Sequence, residues 1–113
     1  MTKGSQGPHT LLQQAITRDI LVAEALAWAE RIGVADRLRE IHVRPMPRKW
    51  ASISTRGRLT LNEELLTQPA GFRHEVIVHE LVHLKLEHGS HNKLFRTLVK
   101  AYLAAWSNAV TQG

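Results

Sequence analysis

Apolar residues recur at helical spacing from Leu11 to about Ile32, at Leu12, Ala15, Ile16, Ile20, Ala23, Leu26 and Ala27. Steps of three and four place them on one side of a helix with 3.6 residues per turn. The stretch is therefore predicted as an amphipathic scaffold helix stopped by Gly33. The period then shortens. Ile41-His42-Val43 reads as a short strand ended by Pro45 and Pro47. Trp50 to Ser54 alternates, Thr55-Arg56-Gly57-Arg58 supplies a turn, and Leu59 to Asn62 alternates again, which predicts a β-hairpin. Glu63 to Thr67 reads as a helical turn, and Pro69 suits the start of the next helix. From there to about Glu87, Phe72, Val76, Ile77, Val78, Leu81, Val82, Leu84 and Leu86 occupy nearly every helical face. A helix apolar all round belongs in the interior, and Gly89 is the expected breaker. A last helix is expected from Ser90 or His91, with Leu94, Phe95, Leu98, Ala101, Tyr102, Ala105 and Trp106 as its inner stripe.

These elements predict an α+β fold: an N-terminal scaffold helix, a small antiparallel sheet or hairpin, a buried central helix and a C-terminal helix. Residues 1–9 are polar and Gly-bearing and are expected to form a flexible tail, with 10–113 a single domain. No internal repeat or low-complexity run suggests a second one.

Composition narrows the chemistry. With 43% hydrophobic and 22% charged residues the chain is ordinary for a globular protein. Having no cysteine, it excludes disulfides, thiolate metal ligands and cysteine nucleophiles. The N-terminal Met1 to Pro8 lacks the apolar core of a secretory signal, and no run approaches the ~18 apolar residues of a membrane span. A soluble, cytoplasmic protein without a membrane partner is the expectation. The net charge is +5, and of 15 Lys and Arg residues, Arg37, Arg39, Arg44, Arg48, Lys49, Arg56 and Arg58 fall in one stretch. That stretch is either a solvated basic face or a weak nucleic-acid surface.

Residues His79-Glu80-Leu81-Val82-His83 carry the strongest chemical signal. Two histidines four residues apart project from one helix face, about a turn apart, at a spacing that binds one zinc ion. The Glu between them lies where it can take a proton from bound water. A hydrolytic zinc site needs a third protein ligand and an open position. His91 follows the Gly89 break and can turn back toward the pair, so it is preferred. His88 continues the helix toward another face and is assigned an outer role, a substrate contact or simple exposure. Glu87 is the carboxylate competitor. Sites of three histidines accept several divalent ions, with zinc favoured by ligand type and availability. The bland alternative, a pair of ordinary histidines, leaves polar groups in an apolar helix without compensation. Tyr102, Arg73 and His74 are candidates for stabilising an oxyanion, though each such residue more often packs or is solvated. His9 and His42 stand alone and are not assigned as ligands.

Residues 48–106 resemble the YgjP-like and SprT-like zinc metallopeptidases, small relatives of the gluzincin proteases. The matching features are Trp50-Ala51-Ser52, Gly57, Leu61-Asn62, the run His79 to Leu84, and His91 with Phe95 four residues on. The resemblance implies a minimal zincin-like domain with His79, His83 and His91 as zinc ligands and Glu80 as the catalytic carboxylate. The function expected is zinc-dependent hydrolysis of peptide bonds, with Glu80 activating a zinc-bound water. A peptide or protein substrate would lie extended along the hairpin edge at Leu59–Asn62. Two alternatives stand beside it. One is a metal-dependent nuclease or phosphoesterase using His79, His83 and His88 with the basic stretch. The other is a non-catalytic zinc-binding module.

Overall fold

The computed structural model describes residues 8–112. Residues 1–7 of the expected tail and the side chain of His9 lie outside the described set. The chain runs α1 (Pro8–Ile32), β1 (Glu40–Arg44), β2 (Ala51–Ile53), β3 (Arg58–Asn62), a 3₁₀ turn (Glu63–Thr67), α2 (Ala70–Leu86) and α3 (Lys93–Gln112). Three helices and one small sheet form an α+β fold, as the periodicity predicts. No described helix is long and apolar enough to cross a membrane.

α1 ends as expected. Gly33 adopts φ +86°, and the amides of Gly33 and Val34 both donate to Ala29 O at 2.9 Å. The buried stripe is not the expected one. Leu12, Ile16, Ile20 and Leu26 are 59, 48, 40 and 48% exposed, and Ala15, Ala23 and Ala27 face solvent as well. Instead Leu21, Ala25, Trp28, Ala29 and Ile32 enter the core. Both sets have helical spacing, so periodicity alone cannot choose between them. The second set carries Trp28, which finds a polar partner inside: its indole N–H donates to His74 Nδ1 at 2.7 Å. The Trp106 ring lies 4.3 Å from the same imidazole, so α1, α2 and α3 meet at His74.

His74 is buried and must keep Nδ1 unprotonated to accept that bond. Burial holds its pKa below the usual histidine range; Glu24 opposes this, and the charges of Arg73 and Arg31 add to it. Above about pH 6.5 the imidazole is neutral in both the folded and unfolded chain. As pH falls further, the unfolded chain binds the proton first, so stability drops by at most about 1.4 kcal/mol per pH unit until the folded group protonates too. Denaturant titrations of metal-free protein from about pH 7.5 to about pH 5 should give a steeper loss for wild type than for His74→Leu. The comparison is needed because His79 and His83 are shifted in the same direction. Equal slopes would remove His74 from this account.

The sheet order is β1-β3-β2, with β2 antiparallel and β1 parallel to β3. The hairpin is where the alternation predicts it, but the sheet is mixed rather than antiparallel. The reason lies at Gly57. Its carbonyl accepts from the amides of Arg39 at 2.9 Å and Glu40 at 3.2 Å, which starts β1 alongside β3. A Cβ on Gly57 would lie 2.0 Å from Arg37 O, and its φ is +93°, so only glycine allows this approach. Leu59–Asn62 is consequently the central strand, paired on both sides. It has no free edge for a peptide, contrary to expectation; within the hairpin that edge belongs to β2.

Leu59, Leu61 and Leu65 bury fully against Ile77, Val78, Leu81 and Val82 of α2. Each such side chain contributes about 1.5–3 kcal/mol, enough to hold the β-branched run Val76-Ile77-Val78 in a helix it intrinsically disfavours. Asn62, also buried, donates through Nδ2 to Met46 O and Lys49 O at 2.8 and 2.9 Å, and Oδ1 accepts from Glu64 N at 3.0 Å. It thereby ties the loop before β2 to the 3₁₀ turn.

Candidate metal centre and active site

α2 presents His79 and His83 on one face, as their spacing requires. What brings His91 to them is the way the chain leaves α2 and enters α3. The expected break at Gly89 comes earlier: Glu87 adopts the left-handed conformation at φ 60°. A non-glycine residue there costs about 1–2 kcal/mol. Its side chain is engaged by Arg37, which donates to Glu87 Oε2 at 2.6 Å and to Leu84 O at 3.3 Å. Nor does α3 start at Ser90 or His91. Asn92 caps it, its Oδ1 accepting from Phe95 N at 3.0 Å. His91 therefore stays outside the helix, free to fold back over α2, while Arg96 donates to its carbonyl at 2.6 Å.

The result is a triangle of imidazole nitrogens. The Nε2 atoms of His79, His83 and His91 lie 3.2, 3.0 and 3.2 Å apart. His83 Nδ1–H donates to His88 O at 3.0 Å, which leaves His83 Nε2 as a bare lone pair aimed into the triangle. Three such nitrogens cannot all satisfy one another. Tetrahedral bonds of ~2.0–2.1 Å to one ion would set the nitrogens about 3.3 Å apart. The donor set therefore fits a divalent metal of the zinc type. Phe95 is buried beneath all three rings, with centroid distances of 5.0, 4.4 and 4.9 Å to His79, His83 and His91. Burial lowers the pKa of His79, helped by its two neighbours. It also lowers that of His83, where the bond to His88 O pulls the other way. Neutral imidazole is the form a metal takes.

Glu80 is half-buried on the same helix and lines a cleft of about 1130 Å³. Burial pushes its carboxyl above the usual carboxylate range, and the charge of Lys49 partly offsets this. The cleft continues along Ile53, Ser54 and Thr55, the end of β2 and the turn beyond it.

The remaining candidates are not part of the triangle. His88 accepts from Ser90 N through Nδ1 at 3.1 Å and offers its carbonyl to His83; it is not among the three residues whose nitrogens converge, although it lines the cleft. Glu87 is engaged by Arg37. Arg73 forms a bidentate pair with Glu24 at 3.1 and 2.7 Å. Tyr102 reaches Ile32 O at 3.5 Å, and His74 is held by Trp28. None of these three lines the cleft. His42 pairs with Glu40 at 2.8 Å. The basic stretch divides: Arg37, Arg39, Arg56 and Arg58 line the cleft, whereas Arg44, Arg48 and Lys49 do not. Asn92 was not singled out from the sequence, and Arg37 only as one of the basic stretch. Asn92 carried a readable signal, a capping residue three positions before an aromatic of the expected inner stripe; the contacts that Arg37 and Arg96 make carried none.

Two solved structures are similar to this one over most of the chain. The metallopeptidase zymogen abylysin of Pyrococcus abyssi is 29% identical over 70% of this chain and 76% of its own, with a TM-score of 0.60. The metallopeptidase zymogen jannalysin of Methanocaldococcus jannaschii is 27% identical over 74% and 79%, with a TM-score of 0.59. No curated protein sequence matches. A model of the YgjP-like metallopeptidase domain matches residues 8–112. With that match across nearly the whole chain and a histidine triangle able to hold a metal, this protein belongs to the YgjP-like metallopeptidase family.

Proposed function

We propose that this metallopeptidase is a zinc enzyme in which His79, His83 and His91 hold the ion and Glu80 is the general base. The observation that carries the reading is the triangle of Nε2 atoms 3.0–3.2 Å apart beside a carboxylate that opens into a cleft. When bound, zinc supplies a Lewis acid that makes water a nucleophile near neutral pH and polarises the scissile carbonyl. Glu80 accepts the proton from the attacking water and passes it to the departing amine. Its partial burial keeps bulk water from competing for that proton. His83 is oriented by His88 O, and His91 by the Arg96 contact to its own carbonyl, so the triangle is set before substrate arrives. The substrate backbone pairs with the free edge of β2 by strand addition, which leads it past Glu80.

Chelation tests the reading. Dialysis against a strong chelator should abolish cleavage of an unstructured protein such as casein, and stoichiometric zinc should restore it. Cleavage that continues after metal analysis shows the protein empty would sink the proposal.

A further inference from the structure

We infer that the cleft beside Glu80 selects acidic side chains in extended peptide substrates, and that Arg39 and Arg56 recognise them. The inference rests on the peptidase reading above and specifies what enters that site.

Four arginines line the cleft, and their states differ. Arg37 is paired with Glu87 at 2.6 Å. Arg58 lies 3.4 Å from Glu40, which His42 also contacts at 2.8 Å. Arg39 and Arg56 have no hydrogen-bond or acidic partner for their side chains among the described residues, and both are exposed. The fold brings them together. The amide of Arg39 donates to Gly57 O, and Arg56 immediately precedes that glycine in the turn. The bare Gly57 lets the 37–39 backbone lie directly on the hairpin turn, and Arg39 and Arg56, on either side of that contact, both line the cleft. Glu40 and Glu87 are already neutralised, and Glu80 sits on the opposite element. A peptide running along β2 leaves its end at Ile53 and meets this pair next. The pair gives a carboxylate two fork-shaped donors and gives a lysine only repulsion.

The test uses the metal-loaded full chain and acetylated, amidated peptides in which one position at a time is Glu, Gln or Lys. At one position on one side of the scissile bond, kcat/KM should favour Glu over Gln by about tenfold, which two partly solvated ion pairs can supply together. Lys should be poorer than Gln. The double substitution Arg39→Gln/Arg56→Gln should bring the Glu-to-Gln ratio close to unity, and Arg39→Glu/Arg56→Glu should shift the preference to Lys. Arg18→Gln, on an exposed arginine outside the cleft, should leave the ratio alone. Anisotropy with the same peptides on metal-loaded Glu80→Gln gives an independent affinity ratio. If no peptide is cleaved, the peptidase reading fails and these affinities decide the present one. Absence of a Glu preference in both measurements overturns the inference, as does a preference that survives the double Gln variant. It is also overturned if an oligonucleotide, and no acidic peptide, loses affinity with that variant, since the arginines then read phosphate.

Discussion

Glu80→Gln is expected to lower peptide hydrolysis by roughly 10²–10⁴-fold, the usual contribution of general acid–base catalysis, while leaving metal content unchanged. The substitution keeps shape and hydrogen-bonding reach but removes the ability to accept a proton. Glu80 is not a corner of the nitrogen triangle, so the metal-binding set stays whole. Its surroundings suit the role. The carboxyl is half-buried, held above its usual range by burial, and Lys49 exerts only a partial counter-effect. A base with a raised pKa keeps more proton affinity when it ionises, which is what the leaving amine requires. Metal analysis and kcat/KM on the same preparation check the prediction. A Gln variant that holds metal and cleaves at the wild-type rate would assign proton transfer to another group.

The second large effect concerns the third corner of the triangle. His91→Ala is expected to weaken metal binding well beyond the roughly 10–100-fold typical of outer-shell substitutions, and His88→Ala to stay within that range. The difference follows from what each residue offers. His91 supplies a nitrogen 3.0 Å from His83 Nε2 and 3.2 Å from His79 Nε2. His88 supplies a backbone carbonyl to His83 Nδ1, which an alanine retains. Thermal unfolding with and without metal gives a second readout. A ligand at 100 times its Kd adds about 2.7 kcal/mol to the native state, so wild type and His88→Ala should show a clear metal-induced rise in Tm that His91→Ala lacks. If His91→Ala binds metal normally and His88→Ala does not, the ligand set proposed here is wrong.

These sites were unequally legible. The hairpin, the central helix and the 3₁₀ turn are local patterns, and they appear where alternation and helical spacing put them. α2 ends within a residue of the expected Glu87, but the residue in the left-handed turn is Glu87 itself rather than Gly89, the better breaker by intrinsic preference. Its side chain pairs there with Arg37, 50 residues earlier, a partner that no local pattern encodes. The last helix shows the same limit. Val99 and Leu103 pack against the core, while Leu94, Ala101 and Ala105 of the expected stripe face solvent. The start set by Asn92, together with the neighbours Trp28 and His74, decides which arc of α3 turns inward.

The sequence by itself determined that His79 and His83 share a face and that Glu80 stands beside them, because helical geometry over five residues needs no other part of the chain. It also preferred His91 over His88 as the candidate third ligand. Only the tertiary structure decided that the His91 nitrogen comes within 3.2 Å of the other two, that β3 lies inside the sheet, that Trp28's side of α1 is the buried one, and that Arg39 and Arg56 line one cleft. Each of these depends on contacts between distant segments: Arg37 with Glu87, Trp28 with His74, and the 37–39 backbone with Gly57. Spacing along a chain cannot encode which of two equally regular faces will find a partner; packing and polar satisfaction in the folded core make that choice.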